Sequence, residues 1–184
     1  MKREVLITYL VCIALVIVGL IFDSGISEVI SGGRIEIIDF FMIFISSFWT
    51  WVIVGAFLSV IMIYEKKVNG MIKLWIGTIA SVGIADLIKL IFMRSRPFET
   101  LDITSLVMVS GSSFPSGHAA GAFAAMFILG KEFPKLKVLW MILAALVGVS
   151  RIYLGLHYLS DVAVGALLGL SIGLLVEKYV EIKK

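Results

Sequence analysis

Polarity along the chain alternates between long apolar runs and short polar breaks. The runs lie at about 5–22, 45–64, 71–93, 116–131, 136–154 and 159–177. Each approaches the roughly twenty residues that an apolar helix needs to cross a bilayer. The pattern predicts an all-α, polytopic membrane protein with six transmembrane helices in one bundle. The fourth run is short, and its small residues (Gly117, Ala119, Ala120, Gly121, Ala122, Ala124, Ala125) predict close packing against neighbouring helices. Residues 23–39 carry Asp23, Glu28, Arg34, Glu36 and Asp39 among three glycines. They read as an extramembrane connection with a short interfacial helix running to Phe41. No repeat, low-complexity segment or linker divides the sequence, so residues 1–184 are expected to form a single domain.

Composition sharpens this reading. Hydrophobic residues make up 60% of the chain and charged residues 16%, with a mean hydropathy of +1.09. A soluble domain carries about a quarter charged residues, so that class is excluded. The net charge of +3 is modest, and no nucleic-acid partner is expected. Cys12 is the one cysteine, so no internal disulfide can form. One cysteine and two histidines are also too few for a four-ligand zinc site. The basic start of residues 1–22 is followed by no small-residue cleavage site, so the first run is expected to remain as a span.

Charge placement orients the bundle. Lys2, Arg3, Lys66, Lys67, Lys73, Lys131, Lys135, Lys137, Lys178, Lys183 and Lys184 fall on one side of an alternating six-span arrangement. Basic loops mark the cytoplasmic face, so the chain is expected in the cell membrane with both termini in the cytoplasm. The polar connections near 94–116 and 151–160 are then expected on the outer face.

Three polar stretches interrupt the hydrocarbon on that face. In Ser113-Phe-Pro-Ser-Gly-His118, Pro115 suits a first helical turn, and Ser112 or Ser113 can cap it. Such a helix start presents N–H groups, the Ser116 hydroxyl and the His118 imidazole to an anion. In the second stretch Lys89 and Arg96 are seven residues apart, near two helical turns, with Pro97 ending the helix after Arg96. A lysine facing lipid costs roughly 2.5–3.5 kcal/mol, so Lys89 is expected to face inward, with Asp86 as a partner on its own face. In the third, His157 and Asp161 are four apart, where a carboxylate can orient an imidazole. A break around Gly155 would let Arg151 converge on them. Each stretch alone also has a plain structural reading: a capped junction, a snorkelling lysine, a satisfied His–Asp bond. Together they place Lys89, Arg96 and Arg151 with the Ser116–Gly117 helix start and the chain's two histidines. Three cations suit a phosphoryl group and repel a metal ion. Two histidines can supply a nucleophile and a general acid.

The three stretches resemble the motifs of the type 2 phosphatidic acid phosphatases, the membrane branch of the group that includes vanadium haloperoxidases. The family pattern is Lys-x6-Arg-Pro, Pro-Ser-Gly-His and Ser-Arg-x5-His-x3-Asp. Lys89–Pro97, Pro115–His118 and Ser150–Asp161 match it in order and spacing, so the motif-bearing core is 89–161. The resemblance implies that His157 attacks phosphorus, oriented by Asp161, and forms a phosphohistidine. It implies that His118 protonates the leaving oxygen and then activates water. Lys89, Arg96, Ser116, Gly117 and Arg151 would hold the phosphate oxygens, with no metal or other cofactor. The implied substrate is a lipid phosphate or diphosphate. Polyprenyl diphosphate is favoured, with phosphatidylglycerophosphate and phosphatidate open. A non-catalytic anion transporter or phospholipid-binding protein is the alternative from a different class; inverted halves, which transporters often show, are not visible.

Overall fold

A computed structural model describes residues 2–180. Lys183 and Lys184 of the basic set lie outside the described residues. The elements are α1 (Lys2–Gly32), α2 (Glu36–Ser46), α3 (Phe48–Tyr64), α4 (Val68–Phe92), α5 (Pro97–Thr100), α6 (Gly117–Glu132), a 3-10 turn (Pro134–Leu136), α7 (Lys137–Tyr153) and α8 (Leu159–Tyr179). The described residues form no strand, as the apolar pattern predicts.

Two boundaries differ from the sequence reading. Helix α1 continues through Asp23 and Glu28 to Gly32, so 23–32 is not a connection. Asp23 survives inside it because it is buried and paired, as described below. The second run, 45–64, is α3 but for its first residues. The short helix expected to end at Phe41 is α2, which continues to Ser46 and meets α3 at 56° around Ser47. By length and apolar character, four stretches qualify to cross a membrane: Arg3–Gly32, Val68–Thr100, Pro134–Tyr153 and Leu159–Tyr179. The bent α2–α3 pair makes a fifth if its two halves are one broken span, so the described residues hold four or five candidate spans rather than a settled six. With 16 residues, α6 is about 24 Å long, short of a hydrocarbon core about 30 Å thick.

Helix α6 sits at the centre, packed against α4, α7 and α8. Lipid tails are as apolar as leucine, so helices associate through close packing rather than water exclusion. Glycines in α8 make that packing possible. A Cβ on Gly165 would stand 2.4 Å from the Ser116 carbonyl oxygen, and one on Gly169 2.1 Å from that of Ala120. The backbones therefore touch one helical turn apart, and the start of α6 is fixed against the first turns of α8. Met62, Ile128, Val147 and Leu170 fill the space around this seam.

One end of the bundle gathers basic residues. Lys137 pairs with Glu4 and Lys73 with Glu177 at 3.2 Å, while Lys67 donates to the Glu132 carbonyl at 3.0 Å. The starts of α1, α4 and α7 thus share an end with the finishes of α6 and α8. The three polar stretches all lie toward the other end.

Candidate active site

Each polar stretch is held by its own local device. Helix α7 closes in a Schellman turn: Gly155, at φ +73°, donates to the Ile152 carbonyl at 2.9 Å, and Leu156 to that of Arg151 at 3.1 Å. The His157 N–H reaches the same Arg151 carbonyl at 3.2 Å, so the break at Gly155 ties the histidine to the arginine. His157 then precedes α8 rather than riding on it, and Asp161 is the third residue of that helix. The pair is therefore joined across a helix start, not along a helical face. Asp161 is wholly buried, its Oδ2 accepts the Tyr158 N–H at 2.9 Å, and it stands 3.7 Å from His157 Nδ1.

The second stretch also leaves its helix earlier than its spacing suggests. Helix α4 stops at Phe92, because Met93 adopts a left-handed conformation and turns the chain. Arg96 is the N-cap of α5, with Pro97 as the first helical residue. Lys89 and Arg96 consequently do not share a helical face. The Lys89 ammonium does pair with Asp86, at 2.7 Å, and stands at the start of α6, 3.7 Å from where a Gly117 Cβ would be. Arg96 is buried and donates to the carbonyls of Gly111 (2.9 Å), Leu156 (3.0 Å), Ser110 (3.2 Å) and Ser112 (3.3 Å). It clamps the 110–112 loop to the turn that carries His157.

In the central stretch the cap is Ser116, whose hydroxyl accepts the Ala119 N–H at 3.4 Å, and α6 begins at Gly117. Pro115 therefore lies outside the helix. Ser112 and Ser113 do not cap; they bond to Arg94 and Ser95 and stitch the loop down. The Ser116 N–H donates to the Asp161 carbonyl at 3.0 Å, so the second and third motifs are joined directly. The Gly117 and His118 N–H groups occupy the first turn, where a helix has no internal acceptors for them.

The six ionisable groups, Lys89, Arg96, His118, Arg151, His157 and Asp161, are near enough for their charges to act on one another. His157, in the turn between α7 and α8, has its pKa pushed down to about 4 by burial, against the upward pull of Asp161. It is a neutral base at ordinary pH. Among the described residues four buried side-chain atoms have no hydrogen-bond partner, and two of them are in the site: His157 Nδ1 and Arg151 Nε. Buried polar atoms are normally satisfied, so these two mark a place that a polar ligand or a small closure would complete.

Several residues here escaped the sequence reading. Ser46, at the α2–α3 bend, meets Arg151 with its hydroxyl and His118 with its main chain. Nothing in its sequence context signals this. Arg94 donates to Asp161 at 2.6 Å and to Asp23 at 2.9 Å. Its signal was available: an arginine two residues before Arg96, and an acid, Asp23, at the end of an apolar run.

Fold and site together define an all-helical membrane protein with a buried histidine–aspartate pair beside a basic helix start. The chain belongs to the PAP2 superfamily, whose family model matches residues 70–183. Among curated relatives, it is 38% identical over 103 residues to a decaprenylphosphoryl-5-phosphoribose phosphatase of Mycobacterium tuberculosis, covering 55% of this chain and 56% of that protein. The chain thus spans little more than half of that relative's length. It is 29% identical to an undecaprenyl-diphosphatase of Sulfolobus acidocaldarius, covering 80% of this chain and 73% of that one. In three dimensions it is similar to the crystal structure of a transmembrane PAP2-type phosphatidylglycerolphosphate phosphatase from Bacillus subtilis. The TM-score is 0.75 at 25% identity, with 95% of this chain and 94% of the other covered.

Proposed function

We propose that the protein is a metal-independent lipid phosphatase that works through a phosphohistidine on His157. The observation that carries this reading is the buried His157, held 3.7 Å from Asp161 and tied by its main-chain N–H to the Arg151 carbonyl. Asp161 receives the Nδ1 proton side of the ring, which leaves Nε2 to attack phosphorus. Arg151, with its unpartnered Nε, Lys89 (on exchanging Asp86 for substrate) and the Gly117 N–H hold the phosphoryl oxygens. Arg96 contributes its charge from behind the loop it clamps. Ser116 sets the angle of the helix start. His118 protonates the departing oxygen and later takes a proton from water. Phosphoryl transfer asks mainly for such positioning and charge stabilisation.

The substrate is a lipid phosphate or diphosphate, with a polyprenyl diphosphate favoured; the mycobacterial and archaeal relatives are both named for prenyl-carrier substrates. In this reading α6 is a sixth, short span wrapped by protein, both termini are cytoplasmic and the site opens on the outer face. The test is phosphate release by purified protein in detergent over a panel of prenyl diphosphates, phosphatidylglycerophosphate and phosphatidate, with chelator present. Turnover of the prenyl diphosphate that persists in chelator supports the reading. Turnover that collapses in chelator and returns with magnesium or zinc overturns it.

A further inference from the structure

Asp161 does not stand alone beside His157. Its two oxygens have separate assignments: Oδ2 takes the Tyr158 N–H and faces the imidazole, while Oδ1 takes Arg94 Nη1 at 2.6 Å. Arg94 is held in turn on three sides. Nη1 also donates to the Ser160 hydroxyl at 2.8 Å, Nη2 donates to Asp23 Oδ2 at 2.9 Å, and the guanidinium lies 4.1 Å above the Tyr158 ring. Asp23 reaches in from α1. Its Oδ1 accepts the Ser160 N–H at 3.0 Å, capping a first-turn donor of α8, and its Oδ2 accepts the Ser160 hydroxyl. One turn earlier in α1, a Cβ on Gly19 would stand 2.6 Å from the Ser160 nitrogen, so the two helices touch there.

We propose that Arg94 and Asp23 are positioning residues for the His157–Asp161 pair, linking α1 to the nucleophile. The inference rests on His157 being that nucleophile. Two consequences follow from the geometry. Arg94 helps to decide which oxygen of Asp161 faces the ring, because releasing Oδ1 would leave the Tyr158 N–H alone to hold the carboxylate. Asp23 shares the arginine charge. One guanidinium serves two carboxylates, so the Arg94–Asp23–Asp161 trio keeps one net negative charge, set against the Arg96 and Arg151 cations that also act on His157. That charge stabilises the ring when phosphorylation at Nε2 leaves a proton and a positive charge on the imidazole. Without Asp23, Arg94 would neutralise Asp161 more fully and this stabilisation would shrink. Without Arg94, Asp23 and Asp161 would repel each other across Ser160.

The experiment is single-turnover rapid quench with radiolabelled polyprenyl diphosphate on the full chain, with kcat, KM and thermal unfolding measured alongside. Asp23→Asn keeps the shape and the acceptor for the Ser160 N–H but replaces by a donor the oxygen that accepts Arg94 and the Ser160 hydroxyl. It should slow phosphoenzyme formation about tenfold, with KM within about twofold and a folded protein by thermal unfolding. Arg94→Ala should slow it about a hundredfold, and Arg94→Lys should recover part of that loss by restoring the charge without the two-pronged geometry. Should Arg94→Ala fail to fold, Asp23→Asn and Arg94→Lys decide the matter. Phosphoenzyme formation at the parent rate in Asp23→Asn and Arg94→Lys overturns the proposal. A loss confined to KM also overturns it, since it would make Arg94 a substrate contact. The parent protein and His157→Ala are quenched first: label absent from His157 in the parent defeats the underlying nucleophile assignment, a result distinct from parent-rate labelling in the positioning variants.

Discussion

Replacing Gly169 by alanine should separate the two helices that carry the reacting groups. The new Cβ would stand 2.1 Å from the Ala120 carbonyl oxygen, 2.9 Å from its carbon and 3.0 Å from the Ala124 nitrogen. Ordinary contact begins at 3.4 Å, and all three neighbours are backbone, so no side chain can swing aside. The helices must part by about 1 Å. Overpacking of this kind costs about 1–3 kcal/mol. The catalytic cost should be larger, because α6 brings Ser116 and His118 while α8 brings Asp161. A misplacement of about 1 Å can lose about 10²-fold in rate. Gly83 is the control: it lies in α4 with nothing within 4 Å of its would-be Cβ. Gly83→Ala should leave turnover unchanged and raise stability by up to about 1 kcal/mol through helix propensity. The assay is phosphate release and thermal unfolding in the same detergent. Full activity and parental unfolding in Gly169→Ala would refute the backbone contact as the element that sets the site.

Three further outcomes are expected. In His118→Ala protein the remaining histidine is His157, and isotope-labelled histidine should report a neutral ring until the pH falls to about 4. Because burial depresses this pKa, the base is present above that value and lost as pH drops through it; a midpoint near 6.5 would contradict the burial. His118→Ala should slow phosphorylation by about 10²–10⁴-fold with an alcohol leaving group and much less with an activated phenol, read by single-turnover kinetics. In intact cells, a cysteine placed at Thr100 should react with an impermeant reagent and one at Asn69 should not; the opposite pattern would invert the orientation.

Much of the fold was legible because a bilayer leaves few choices: long apolar runs must become helices, and all six runs contain one. Ends were less legible. The charges at Asp23 and Glu28 argue for a break in α1, yet Asp23 is buried against Arg94 and Ser160, so tertiary partners carried the helix onward. The Lys89–Arg96 spacing looked helical, but a single left-handed residue at Met93 ended α4 first. Ser116 rather than Ser112 or Ser113 became the cap because those two are bonded to the 94–95 segment, a contact between distant stretches that spacing cannot reveal. Gly155 was readable as a break, since φ +73° is a conformation that glycine tolerates best. Arg96 was expected as a phosphate ligand and is found holding four carbonyls, which sequence could not anticipate.

The most direct test of the account is the location of the covalent phosphate. Purified protein is mixed with radiolabelled polyprenyl diphosphate, quenched in milliseconds, and the trapped label is tested for acid lability and base stability and mapped to a peptide. The account predicts an acid-labile, base-stable label on the peptide containing His157, absent from His157→Ala and accumulating in His118→Ala when an activated substrate is used. Label on His118, or label that persists in His157→Ala, would contradict it.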